Sequence, residues 1–144
     1  MNFKIKVSCS IVIFLLFFIT IGYSKDPNLI ITNLKCAYLI NPIAIESQHP
    51  TISWQLTSAH KAKRQEAYHV LVASSISLLG KNIGDYWDSH RVNSSNSTQV
   101  IYQGKPLSSR KKVYWKVMVW DEKNVRSDWS SVASGQKHPH QKSQ

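Results

Sequence analysis

A chain of 144 residues with 42% hydrophobic content and two cysteines has room for one core of ordinary size and little scope for disulfide stapling. Its formal charge of +10 invites a nucleic-acid partner, yet Lys61, Lys63, Arg64, Arg110, Lys111 and Lys112 are dispersed with no recognisable binding motif interleaved, which sets nucleic acid aside. Weak adhesion to acidic cell-surface polymers is the milder consequence of such a balance.

Met1 to Lys6 carries Lys4 and Lys6 and is followed by an apolar run from Val7 to Ile21, the layout of a secretory signal. The run is shorter than the roughly 20 residues that span a bilayer. Cleavage is therefore expected, and the small residues Gly22 and Ser24 put it between Ser24 and Lys25. The protein is read as secreted or periplasmic, with residues 1–24 removed and no membrane attachment afterwards. The remaining 120 residues hold 16 basic and 8 acidic side chains. Cys36 is their lone cysteine, so an intramolecular disulfide is impossible, and a buried core thiol is the ordinary role for it.

Short β-rich runs then alternate with polar turns, with no repeat and no helical stretch beyond a short Ile76 to Lys81 segment. Leu29 to Leu39 reads as a first strand, with Thr32, Leu34, Cys36 and Tyr38 on one face by the two-residue period. Thr51 to Leu56 groups Ile52, Trp54 and Leu56, and Ala67 to Ala73 groups Tyr68, Val70 and Val72. Gln99 to Tyr102 is a shorter strand. In Val113 to Asp121, the residues Val113, Trp115, Val117 and Val119 face one way while Tyr114, Lys116, Met118 and Trp120 face the other. Asp121 to Asn124 forms a hairpin turn leading past Trp129 to a last strand. The expected fold is all-β, an immunoglobulin-like or fibronectin-type-III-like antiparallel sandwich over residues 25–134. Its core is expected to hold Cys36, Ile52, Trp54, Tyr68, Val70, Val72, Trp115, Val117 and Val119. Residues 135–144, GQKHPHQKSQ, read as a disordered tail and a premature end.

The segments ITNLKCAYLINPIAI, HPTISWQL, AYHVLVASS, YWDS, YQGKPL and YWKVMVWD followed by SDWS, in this order, resemble the N-terminal module of bacterial α-L-rhamnosidases, glycoside hydrolase family 78, from about Ile30 to Ser134. The resemblance implies a β-sandwich that precedes further β-domains and an (α/α) barrel, where the family hydrolyses terminal α-L-rhamnosyl bonds by inversion. None of those later domains is in this sequence, so the chain is expected to be inactive alone and to partner the other domains of such a protein. One departure concerns Val113, which stands six residues beyond Leu107 where the family tends to carry an aromatic, with Tyr114 one place later. A tyrosine-corner hydroxyl bond from that position is in question.

An inverting glycosidase needs an acid and a base carboxyl about 6.5 to 9.5 Å apart across a sugar-sized cleft. Asp85 with Asp88, and Asp121 with Glu122, are close in sequence but sit in turns, where acids ordinarily cap their own backbone. No catalytic residue is therefore assigned. His49, His60, His69 and His90 lack ligand spacing, and His138 and His140 fall in the tail, so no metal or other cofactor is expected. The sequons at Asn93 and Asn96 mark an exposed loop. Two roles remain, a structural spacer or a carbohydrate-binding module for rhamnose-containing glycans. The second rests on Trp87, Trp120 and Trp129, which are not obviously core by periodicity and whose rings offer sugar-stacking faces. Coplanar exposed indoles favour sugar binding; rings flattened under long side chains favour the spacer.

Overall fold

The computed structural model describes residues 29–58 and 63–139. The expected leader over residues 1–24 lies outside them, as do His60 and His140. Seven strands form two antiparallel sheets: β1 (Ile30–Cys36), β2 (Thr51–Thr57) and β5 (Val100–Ile101) in the order β1-β2-β5, and β4 (Trp87–Asp88), β3 (Gln65–Ala73), β6 (Lys112–Asp121) and β7 (Ala133–Gln136) in the order β4-β3-β6-β7. A single helical turn, α1 (Ile76–Gly80), follows β3, with Ser75 as its N-cap accepting from the Leu78 amide.

The sandwich forms because each long strand has an apolar alternate face and the two faces meet. Cys36, Ile52, Trp54, Tyr68, Val70, Val72, Trp115, Val117 and Val119 all lie in this one core. Burying such a set is the dominant favourable term for a domain with no disulfide. Trp54 stands at its centre, with its ring edge-on to Tyr68 at 5.4 Å between centroids and its indole N–H donating to Gln65 Oε1 at 3.0 Å. The outer face of β3 and β6 is covered as well. Leu71, Ala73 and Leu79 form a second, smaller cluster under α1, packed against Tyr114 and Trp129. Lys116 is buried there, donating to the Leu79 carbonyl at 2.7 Å and to Asn82 Oδ1 at 2.6 Å.

Three expectations are corrected. The inward set of β1 is Ile31, Leu34 and Cys36, and Thr32 is not in it, because the register slips between Thr32 and Lys35 where Asn33 takes a left-handed φ of 49°. One extra residue swaps the faces on either side of it. Tyr38 lies beyond the strand and is 69% exposed. The third correction concerns the end of the domain. Gly135 and Gln136 belong to β7, pairing with Val113 and Lys112, so order extends past Ser134 and the expected tail over 135–144 begins too early. Gly135 is needed there for close approach, since a Cβ would stand 2.7 Å from Ile45 Cδ1. Beyond it, Lys137 is buried and its amide donates to the Lys111 carbonyl.

The segment that crosses from β1 to β2 runs back along the free edge of β7. The Gln136 amide donates to the Pro42 carbonyl, the Ile45 amide to the Gln136 carbonyl and the His138 amide to the Ile45 carbonyl, each at 2.8–2.9 Å. Ile45, 1% exposed, is plugged into the core.

Candidate functional site

The three candidate tryptophans sit on different elements, and none is bare. Trp120, at the end of β6, is half-buried with the Arg91 guanidinium 4.9 Å from its ring centroid. Trp129, between β6 and β7, carries Lys116 Nζ at 4.4 Å and the His69 ring at 5.2 Å. Both are stacks of a cation on an aromatic face, which occupy the surface a sugar ring would need. Trp87, in β4, meets Tyr102 edge to face at 5.4 Å and 85°. It borders a groove, about 350 Å³ in volume, between the β4 and β5 edges of the two sheets, where Asp88, Ser89, Asn96, Gln99 and Gln103 supply polar groups. Trp129 lines a second groove of about 350 Å³ with Leu29, Ile30, Ile31, Asp128, Ser130 and Ser131.

The four acidic residues of the two candidate pairs are each engaged locally. Asp85 accepts from the Ser74 amide at 2.8 Å and the Ser74 hydroxyl at 2.7 Å, tying the β4 approach to the end of β3. Burial alone would raise its carboxyl, but these hydrogen bonds and Lys105 hold it below the usual carboxylate range. Asp88 accepts from His69 Nε2 at 2.6 Å and the His90 amide at 2.8 Å, and is lowered against its burial for that reason. At the far end of β6, Asp121 is buried and meets Lys63 Nζ at 2.7 Å, while its Oδ1 accepts from the Lys123 and Val125 amides. Burial would raise this carboxyl too, and the Lys63 hydrogen bond with the two amides outweighs it. Glu122 accepts from the Arg64 amide at 3.2 Å and is lowered by its own and the Arg64 backbone bonds, with Lys63 adding to them. Asp121 thus closes the Asp121–Asn124 turn as a side-chain cap, the role its turn position suggests.

Two groupings escape a reading by sequence spacing. His69 and His90 converge on Asp88, with His90 Nδ1 at 3.4 Å, because β3 and β4 pair through Leu71 and Asp88. The outward position of His69 in β3 is legible; the pairing partner is not. Among the described residues no group of three His, Cys, Asp or Glu side chains is arranged to hold a metal ion. A different tyrosine, Tyr102, makes a local hydroxyl bond of its own. Its hydroxyl donates to the Lys105 carbonyl at 2.7 Å, and burial pushes its pKa up. The Y-x-x-K spacing of YQGK was available as a signal, since a tyrosine can fold back on a carbonyl three residues on.

Two facing antiparallel sheets with a tryptophan at their centre define the class, an immunoglobulin-like sandwich domain. The chain belongs to the family of Rha78A-like, N-terminal immunoglobulin domains, whose pattern it matches over residues 31–136. An alpha-L-rhamnosidase of Formosa agariphila is 46% identical over 107 residues, covering 74% of this chain but 11% of the relative. The chain therefore spans about a tenth of that relative's length. The solved alpha-L-rhamnosidase from Dictyoglumus thermophilum superposes with a TM-score of 0.75 at 36% identity, over 78% of this chain and 12% of that one. A Streptomyces avermitilis alpha-L-rhamnosidase, solved with L-rhamnose, gives 0.73 at 37% identity, over 76% and 10%.

Proposed function

We propose that the chain is a non-catalytic accessory module of an exported α-L-rhamnosidase-like glycoside hydrolase, packing against the other domains that cleave terminal α-L-rhamnosyl bonds. The observation that carries this reading is the state of its carboxylates. Asp85, Asp88, Asp121 and Glu122 are all held below the usual range by local donors. Inverting hydrolysis requires one carboxyl raised so that it stays protonated as the general acid, opposite a second that stays ionised. Carboxyls lowered in this way suit the second role and not the first. Export rests on the charged and apolar layout of residues 1–24.

The test is to assay the chain from Lys25 onward against an aryl α-L-rhamnoside. No turnover is expected. Turnover abolished by Asp85→Asn, Asp88→Asn, Asp121→Asn or Glu122→Gln would overturn the reading.

A second reading is favoured by one observation, the groove beside Trp87. An indole edge with amides at Asn96, Gln99 and Gln103 is the chemistry that recognises a neutral sugar, the ring meeting apolar faces and the amides meeting hydroxyls. Under it the module binds rhamnose-containing glycans weakly. Titration with rhamnose and rhamnose-containing polysaccharides checks this: saturable binding lost on Trp87→Ala supports it, and no saturable binding removes it. Trp120 and Trp129 serve this reading less well, because Arg91 and Lys116 already occupy their faces.

A further inference from the structure

Tyr38, Leu39, Ile40 and Ile43 stand in one short loop and are 69%, 59%, 64% and 79% exposed. Scattered single apolar residues are normal on a surface, but four large ones in six positions are not. The loop is nevertheless held in place. The Cys36 and Leu39 backbones exchange two hydrogen bonds at 2.9 and 3.0 Å, the Ala37 amide donates to the Thr51 carbonyl, and Asn41 Oδ1 accepts from the Ser134 amide at 2.8 Å. Ala37 and Tyr38 both take left-handed φ values, 49° and 66°. A non-glycine residue pays for that conformation, so the chain holds these apolar side chains outward at a cost rather than letting them fold in.

Position decides what covers them. The loop lies along β7 through the Pro42, Ile45 and Gln136 bonds, and β7 is the last strand before the chain leaves the sandwich. On the other side of the same exit, the Arg110 amide donates to the Lys137 carbonyl and Lys112 pairs with Gln136, placing two cations beside the departing segment. In the Formosa relative the matching stretch is 11% of the length, and the family is an N-terminal domain, so the bulk of such an enzyme follows from this point.

We infer that the loop over residues 38–43 is the docking surface for the part of a rhamnosidase that follows this module, and that it takes an apolar patch whose rim is acidic opposite Arg110 and Lys112. This rests on the accessory reading and names its contact. The other exposed large apolar residues among those described, Ile30, Ile76, Ile83, Ile101 and Val132, stand outside this loop.

The experiment is hydrogen exchange on this chain alone and on a chimera in which its residues 30–137 replace the matching module of the intact Formosa rhamnosidase. Amides of residues 38–44 are expected to exchange roughly ten-fold or more slowly in the chimera. The double substitution Ile40→Asp and Ile43→Asp should abolish that protection, while Ile76→Asp leaves it intact. Arg110→Glu with Lys112→Glu should weaken it and remove its salt dependence. Because both isoleucines point into solvent, the free chain's melting temperature should not move with the double substitution, which separates lost docking from lost folding. Equal exchange in chain and chimera overturns the inference. So does a concentration-dependent dimer of the free chain that the double substitution dissolves, since the patch then belongs to a second copy. Turnover by the free chain defeats the accessory reading instead, without touching the exchange result.

Discussion

At the Asp121 end of β6 every polar group is matched. Gln65 takes the Trp54 N–H and donates to the Ser94 and Asn96 carbonyls at 3.0 and 2.8 Å, and Asp121 holds Lys63 and two amides. At the Val113 end a void of about 20 Å³ is lined mainly by apolar residues, among them Cys36, Ile52, Leu107, Val113 and Trp115, with Tyr102 beside them, and the Trp115 indole N–H has no acceptor among the described residues. The first end is locked by directional bonds. The second is closed by backbone pairs at its edge and by apolar packing inside, and the exposed loop at Tyr38 to Ile43 borders it through Cys36 and Ile45. The contrast teaches that a sandwich without a disulfide in its core can lock one end with side-chain bonds and close the other with backbone pairs and packing.

The sharpest way to break the contrast is Trp54→Ala, which removes the central ring and strands Gln65 Oε1. It should cost about 3 to 5 kcal/mol, measured by denaturant unfolding. Truncation after Ser134 attacks the other end, deleting the Gly135 and Gln136 pairs and the Ile45 bridge; the melting temperature is expected to drop by roughly 5 °C or more. Asp121→Ala comes next, at about 1 to 3 kcal/mol for two amides left unmatched in a buried turn. Its pH dependence has a definite sign. A carboxylate lowered in the folded state stabilises above its ordinary value of 3.8 and loses that contribution as pH falls below it. The wild type should therefore destabilise between about pH 5 and pH 2, and the variant less steeply.

Trp115→Phe is the informative small change. It removes an N–H that has no acceptor and keeps most of the ring, so the cost should stay below about 1.5 kcal/mol, whereas Trp54→Phe, which breaks the Gln65 bond, should cost more. Least perturbing of all is labelling Cys36, whose thiol is buried and pushed up to about 11. A thiol reagent at pH 8 should modify it only at the rate of opening, and reaction as fast as in denaturant would displace it from the core.

Strands β3 and β6 are legible because their inward sets, Tyr68, Val70 and Val72 and Val113, Trp115, Val117 and Val119, keep a two-residue period, and Asp121 because an acid opening a turn that reaches Asn124 has few other roles. β1 was misphased at its start because a bulge carries no hydropathy signal; Asn33 looks like any polar residue until its φ is seen. β7 was cut short for a different reason. Its inward residues are Ala133 and Gly135, too small to register as an apolar period. The shielding of Trp120 and Trp129 was hidden because Arg91 and Lys116 reach those rings from separate elements. The groove beside Trp87 depends on two edge strands of two residues each, shorter than any periodicity can resolve.

The pairing of Ile45 with Gln136 and Lys137 sets a schedule for folding. The edge of the four-stranded sheet is capped by a segment around Ile45, but the strand it caps, ending at Gln136, emerges from the ribosome much later. Until residues 133–138 are made, Ile45 has no backbone partner there and Val113 lacks its neighbour, so the apolar end stays open while the intervening strands are synthesised. Long-range closure of this kind is slow. A nascent chain that has not reached residue 133 therefore holds a sandwich that cannot yet shut along this edge.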